Sequence, residues 1–240
     1  MKCRLSEKEI PMAKKKDRTE EGIVAVEEAL SKTEQFIENN QKMLTIIVAV
    51  IAILILGFFA FKKLYVEPQQ QEATSQMFMA EKYFEMDSLN LALYGDGMYP
   101  GFLDIIDDYG ITKSANLANY YAGICYLNLG DFEAAIDHLK SFKGRDQILG
   151  PMAKGAIGDA YMELNQPDEA VDYYIAAAEK STNDFTTPLF YQKAGWAYEL
   201  LEEYNKAIKV YTKIKEDYAQ SNEARDIDKY IARAQGMLNK

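Results

Sequence analysis

Between Met43 and Phe61 the alternation of polar and apolar positions disappears. These nineteen residues, MLTIIVAVIAILILGFFAF, carry no charge and only Thr45 as a polar side chain. At about 1.5 Å per residue a helix of that length spans about 28 Å, close to the roughly 30 Å hydrocarbon core of a bilayer. A core helix of a soluble domain would show a polar face, and none is present. The run is longer than a signal-peptide core, 42 residues precede it, and Lys62, Lys63, Leu64 and Tyr65 follow where a cleavage site would need small residues. The pattern predicts a retained transmembrane helix over 43–63, with a segment 1–42 before it and a domain 64–240 after it. MAKKKDR, from Met12, reads as a more natural start of translation than MKCRLSEKEIP.

Ahead of the span, Ile23, Val26, Leu30, Thr33 and Ile37 recur at intervals of three and four. This predicts a helix with one apolar stripe. Its polar face carries Glu27, Glu28, Glu34 and Glu38, which anionic headgroups would repel. The stripe fits a partner's helix better than the membrane surface, or else it is a plain extension of the anchor.

After the span the periodicity becomes helical and repeats. YAGICYLNLGDFEAAIDHL starts at Tyr121, KGAIGDAYMELNQPDEAVDYY at Lys154 and QKAGWAYELLEEYNKAIKVY at Gln192. Each has a Gly followed three residues later by Tyr: Gly123 and Tyr126, Gly158 and Tyr161, Gly195 and Tyr198. Nine further on stands Ala135, Ala170 or Ala207, and four beyond that Leu139, Tyr174 or Tyr211. Turns fall at Gly130-Asp131, Asn165-Gln166-Pro167 and Glu202-Glu203, and second helices begin at Phe132, Pro167 and Tyr204. The small residues allow two antiparallel helices to approach closely, and the later bulky residue fills the gap. A divergent copy comes first, with Ala80, Tyr83 and Ala92 in register and a turn at Asp87-Ser88. LYGDGMYPG, residues 93–101, then interrupts it before GFLDIIDDYG, which reads as the rest of its second helix. Beyond the last repeat, Ser221 is placed to cap a helix over 221–238 with Ala224, Ile227, Ile231, Ala234 and Leu238 on one face.

These positions resemble the tetratricopeptide repeat over residues 71–238. The expected fold is all-α: an N-terminal transmembrane helix, then a helical solenoid of about four repeats closed by a capping helix. In that family the first helices line a groove that binds proteins. By register, the groove would show Leu117, Tyr120, Ile124, Leu127, Asp159, Met162, Glu163, Gln192, Trp196 and Glu199. Family members that grip a C-terminal carboxylate use Lys, Asn and Arg there. Here Tyr120, Ile124, Gly155 and Gln192 take those places, so that clamp is not expected. Trp196, the only Trp, is either an anchor for a partner or packing between helices.

Charge sets the orientation and narrows the partners. Residues 64–240 hold sixteen basic and twenty-eight acidic side chains, whereas residues 1–42 hold nine of each, with a Lys14-Lys15-Lys16 run. The surplus of acid argues against nucleic acid and against docking onto anionic lipid. Within about twenty residues after the span only Lys62, Lys63 and Lys82 are basic, so the N-terminus is expected in the cytoplasm and the domain outside. Cys3 and Cys125 lie on opposite sides of the span and cannot pair within one chain. His138, the only histidine, reads as a solvated helix side chain. Asp107-Asp108 and Asp168-Glu169 are sequence neighbours and point to different sides of a helix, which makes neither an acid–base couple. No metal-ligand spacing or phosphate loop occurs, so no enzyme, cofactor, metal or small-molecule substrate is expected.

The order of parts, with the run Phe36-Ile37-Glu38-Asn39-Asn40-Gln41-Lys42 leading into the span, resembles the single-span ancillary subunits of the bacterial Sec translocon. That resemblance implies an inner-membrane protein with a periplasmic tetratricopeptide domain. Its partners would be translocon subunits and a periplasmic chaperone or newly exported chains. A scaffold for another envelope complex, in outer-membrane assembly, division or secretion, predicts the same fold and topology.

Overall fold

A computed structural model describes residues 17–239, with side chains from Gln35 onward. Cys3, the alternative start at Met12 and the lysine run at 14–16 lie outside the described residues, as do the side chains of Ile23, Val26, Leu30 and Thr33. The chain divides into two compact units at Lys62 and Lys63.

In the first unit a single helix, α1 (Asp17–Phe61), contains the apolar run. It belongs to the one described helix that is long and apolar enough to cross a membrane, by length and composition, and none of its apolar window is buried by protein. Ile46, Leu54 and Phe58 each leave about two-thirds of their surface uncovered.

The second unit is entirely helical among the described residues. A π-helical turn (Lys62–Val66) leads into α2 (Glu67–Glu85), α3 (Leu89–Tyr94) and α4 (Phe102–Asp108). Three regular pairs follow: α5 (Lys113–Leu129) with α6 (Phe132–Ser141), α7 (Leu149–Glu163) with α8 (Pro167–Lys180), and α9 (Thr186–Leu200) with α10 (Tyr204–Asp217). A 3₁₀ turn (Glu223–Asp226) and α11 (Ile227–Leu238) close the array. Each helix packs on the next, and the first helices of neighbouring repeats also touch: α2 on α5, α5 on α7, α7 on α9.

The matched glycines are the contact points of each pair. A Cβ on Gly158 would lie 2.6 Å from Cε1 of Tyr174, and one on Gly123 would lie 2.5 Å from Cγ of Leu139; Gly195 faces the ring of Tyr211 in the same way. All three partners are buried. The first-helix tyrosines pack less deeply. Tyr126 stacks on His138 with ring centres 5.4 Å apart, and Tyr161 stacks on Tyr173 at 5.3 Å.

All four first helices end in the same turn. Asp87, Gly130, Asn165 and Glu202 have φ of 60°, 85°, 56° and 59°. The next amide in each case donates to the carbonyl of Tyr83, Tyr126, Tyr161 or Tyr198 at 2.9 to 3.0 Å. This closes the helix with a left-handed residue and a six-to-one bond, and it places the divergent first copy in register with the others.

Two sequence expectations change. The second helix of the first repeat is split into α3 and α4. Between them, Asp96 Oδ1 accepts from the amides of Met98 and Tyr99 (2.9 and 2.7 Å) while Oδ2 accepts from the Tyr83 hydroxyl at 2.7 Å. Those bonds hold the Asp96 carboxyl below its usual range, the Tyr83 hydroxyl contributing most. Secondly, α-helix in the cap starts at Ile227, not Ser221. Ser221 Oγ accepts from the Ala224 amide at 3.2 Å, inside the 3₁₀ turn, from one residue before its N-cap position Asn222. Ile227 and Ala234 are buried, whereas Leu238 stays exposed.

Candidate functional site

The ten register-derived residues differ in exposure: Glu163 and Trp196 are exposed and the other eight are half-buried. Tyr120, Ile124 and Leu127 are half-buried against the core shared by α6 and α7, which contains Ile136, Leu139 and Ile157. Leu117 packs on the preceding core around Phe102 and Ile105, and Met162 on the following one. These positions serve repeat-to-repeat packing, as expected where first helices stack. Gln192 is half-buried, and Glu163 is exposed.

Asp159 and Glu199 are engaged. The Tyr174 hydroxyl donates to Asp159 Oδ1 at 2.7 Å, and Lys193 Nζ from the next first helix donates to both carboxylate oxygens at 2.7 Å. One repeat further on, the Tyr211 hydroxyl donates to Glu199 Oε1 at 2.7 Å. Arg233 of α11 meets the same carboxylate with Nε at 2.8 Å and Nη2 at 2.9 Å. In both places a second-helix tyrosine, a first-helix carboxylate and a cation from the following element bind three helices together. Burial, and then the carboxylate, push both tyrosine hydroxyls above their usual range.

Trp196 is different. It keeps 39% of its surface exposed. Its indole meets Tyr230 of α11 edge-on, with centres 6.0 Å apart. Together they line an open groove of about 660 Å³ with Leu200, Tyr204 and Met237. Glu199 and Arg233 border the same groove, and Arg233 also lies 5.0 Å from the Tyr230 ring centre. The groove therefore has an aromatic and aliphatic floor beside a fixed ion pair, the composition expected of a site that anchors a protein segment. Of the residues lining this groove, the repeat register named Trp196 and Glu199 and did not name Tyr230, Arg233 and Met237. The available signal was the aromatic and the cation three residues apart on the cap's polar face.

His138 is not a fully solvated side chain. It is half-buried, stacked on Tyr126, and its Nδ1 lies 3.1 Å from Asn119 Oδ1. The pair Asp168-Glu169 occupies the first turn of α8, where carboxylates complement the helix dipole. Among the described residues no three His, Cys, Asp or Glu side chains are placed to hold a metal ion.

Two family models of the tetratricopeptide repeat match, over residues 117–146 and 156–222. Among solved structures, one similar chain is a variant of a Podospora anserina protein described as a kinesin light chain with nearly identical TPR-like repeats. It is 13% identical, with a TM-score of 0.53 over 71% of this chain and 88% of that one. The MamA protein is 19% identical, with a TM-score of 0.49 over 70% of this chain and 92% of its own. No curated protein sequence matches the chain. The matched repeats, and the helical fold shared with the Podospora anserina repeat protein, make the second unit a tetratricopeptide solenoid, the architecture of a protein–protein interaction scaffold.

Proposed function

We propose that the chain is a membrane-anchored scaffold of the bacterial envelope, with residues 43–63 crossing the inner membrane, residues 1–42 in the cytoplasm and residues 64–240 in the periplasm. On this reading it serves protein export beside the Sec translocon, holding a chaperone or a newly exported chain. The groove around Trp196 carries the binding part, because it joins the one exposed indole to aliphatic surface and a fixed ion pair. The uncharged run in α1 supports the anchor, and the lysine and arginine residues before it support the orientation. The order of parts and the run 36–42 support the translocon as neighbour.

One extraction tests this. A photoreactive side chain at Leu200, on the groove's exposed edge, should cross-link a translocon subunit, a periplasmic chaperone or an exported chain. The intact complex should co-purify in mild detergent, and Trp196→Ala should abolish both results. Recovery of a different stoichiometric envelope complex with no translocon present would overturn the export reading. Protease added to spheroplasts should digest residues 70–240; full protection would reverse the orientation.

A further inference from the structure

The acidic domain has a basic side. Between α6, α7 and α8 lies a cleft of about 280 Å³ bordered by Lys140, Lys143, Lys154 and Lys180. A second groove of about 780 Å³ adjoins it, bordered by Lys113, Arg145 and the same Lys143. Among the described residues, none of these six cations has a carboxylate within 4.0 Å, although the domain carries twenty-eight acidic side chains against sixteen basic ones. The acid inside the loop, Asp146, is engaged elsewhere: its Oδ1 accepts from the amides of Ile148 and Leu149, at 2.9 and 2.5 Å, at the start of α7.

The cleft is built from fixed parts. A Cβ on Gly144 would sit 2.6 Å from the Gly150 Cα, so backbone closes directly on backbone there. Gly150 also admits the stem of Lys180, whose Cε would lie 2.5 Å from a Cβ at that position. Lys140 Nζ is held by the Tyr161 hydroxyl at 3.2 Å and lies within 6 Å of the Tyr161 and Tyr173 ring centres. The loop itself is tied to α5, where Asn116 Oδ1 accepts from the Lys143 amide at 2.8 Å.

Like charges gathered without counterions raise one another's energy, and clefts focus their field. We infer that this track binds an extended acidic polypeptide segment of a protein partner. Extension is the deciding observation. The cations run through two adjoining depressions joined by Lys143, which suits carboxylates spaced along a peptide better than a single phosphate group. The rest of the domain repels such a peptide, so affinity has to come from this track. At physiological salt the Debye length is about 8 Å, which keeps the attraction local. The track lies on other residues than the Trp196 groove and does not depend on the export reading.

A fluorescein-labelled decaglutamate peptide, titrated with the full chain in non-ionic detergent and read by anisotropy, tests this. Binding should weaken steeply with added salt, and a decaglutamine peptide should not bind. The double variant Lys143→Glu, Arg145→Glu, on an exposed loop, should keep its circular dichroism and bind roughly tenfold more weakly, with each charged contact worth up to about a fivefold effect. Trp196→Ala should bind the peptide as the parent does. Three results would overturn the assignment: no binding, equal binding by the loop variant, or complete displacement by inorganic phosphate or glycerol phosphate where chloride of equal ionic strength has no effect. Displacement would make the track a phosphate or lipid-headgroup site.

Discussion

Glu202 holds the same left-handed backbone as Gly130, φ 59° against 85°, each at the end of a first helix. A glycine adopts that conformation without a Cβ penalty, whereas a glutamate pays about 1 kcal/mol for it. Glu202→Gly should therefore raise stability by about 0.5 to 1 kcal/mol in urea unfolding. Gly130→Ala, where nothing lies within 4 Å of the added Cβ, should lower it by about the same amount for purely conformational reasons. A destabilised Glu202→Gly variant would show that the Glu202 side chain outweighs its backbone.

These turns explain how far the sequence could be read. Gly130, Asn165-Gln166-Pro167 and the spacing of Gly, Tyr and Ala are local signals, and each lies where the fold uses it. The ion pair of Glu199 with Arg233 joins residues 34 apart, across the junction of the last repeat and its cap. No repeat pattern extends there. Register gives Asp159 a position on a helix and not the neighbours it meets; Lys193 and Tyr174 reach it from two other helices. The break between α3 and α4 was visible as Gly and Pro in residues 93–101, but Asp96 as the organiser of that loop was not.

Gly158→Ala tests the packing of the repeat. The new methyl would meet the buried Tyr174 ring, whose hydroxyl is fixed by Asp159, so moving the ring aside would strain that bond. Overpacking of this kind costs about 1 to 3 kcal/mol, more than the roughly 1 kcal/mol gained in helix propensity. Thermal unfolding should show a lower midpoint for Gly158→Ala. The Ala variant of Gly236, which has nothing within 4 Å, should show no loss.

Gln70 caps a helix it does not belong to. Its Oε1 accepts from the amides of Lys113 and Ser114 at 2.6 and 3.3 Å, at the start of α5, and its Nε2 donates to Ser114 Oγ at 2.7 Å. These are amides that have no partner within their own helix. Gln70→Ala should cost about 1 to 2 kcal/mol. Hydrogen exchange should increase first at Lys113 and Ser114. Uniform exchange along α5 would deny Gln70 a local capping role.

Burial holds the His138 imidazole below its ordinary 6.5, against the opposing pull of Asp137 and Asp107. The folded protein then binds the proton less readily than the unfolded chain. Its stabilising contribution is complete above the ordinary value and is lost as pH falls through 6.5 towards the lower folded value. Between about pH 7.5 and about pH 5.5 the parent should lose more stability than His138→Gln, measured by urea midpoints. Equal losses would place the imidazole in solvent.

Cys125 lies in the core between α2, α3, α4 and α5 with no surface exposed, and burial pushes its thiol up to about 12. Both effects suppress the thiolate that attacks disulfide reagents. In a Cys3→Ser background, where Cys125 is the remaining thiol, Ellman's reagent should give no prompt reaction with the folded protein and one thiol per chain in denaturant. The rate in native buffer should follow opening of the first repeat, so Gln70→Ala should accelerate it. Gly195→Ala, in the last repeat, should leave it unchanged if the array opens from its ends as separate units. Equal acceleration by both variants would mean that the solenoid unfolds as one cooperative body.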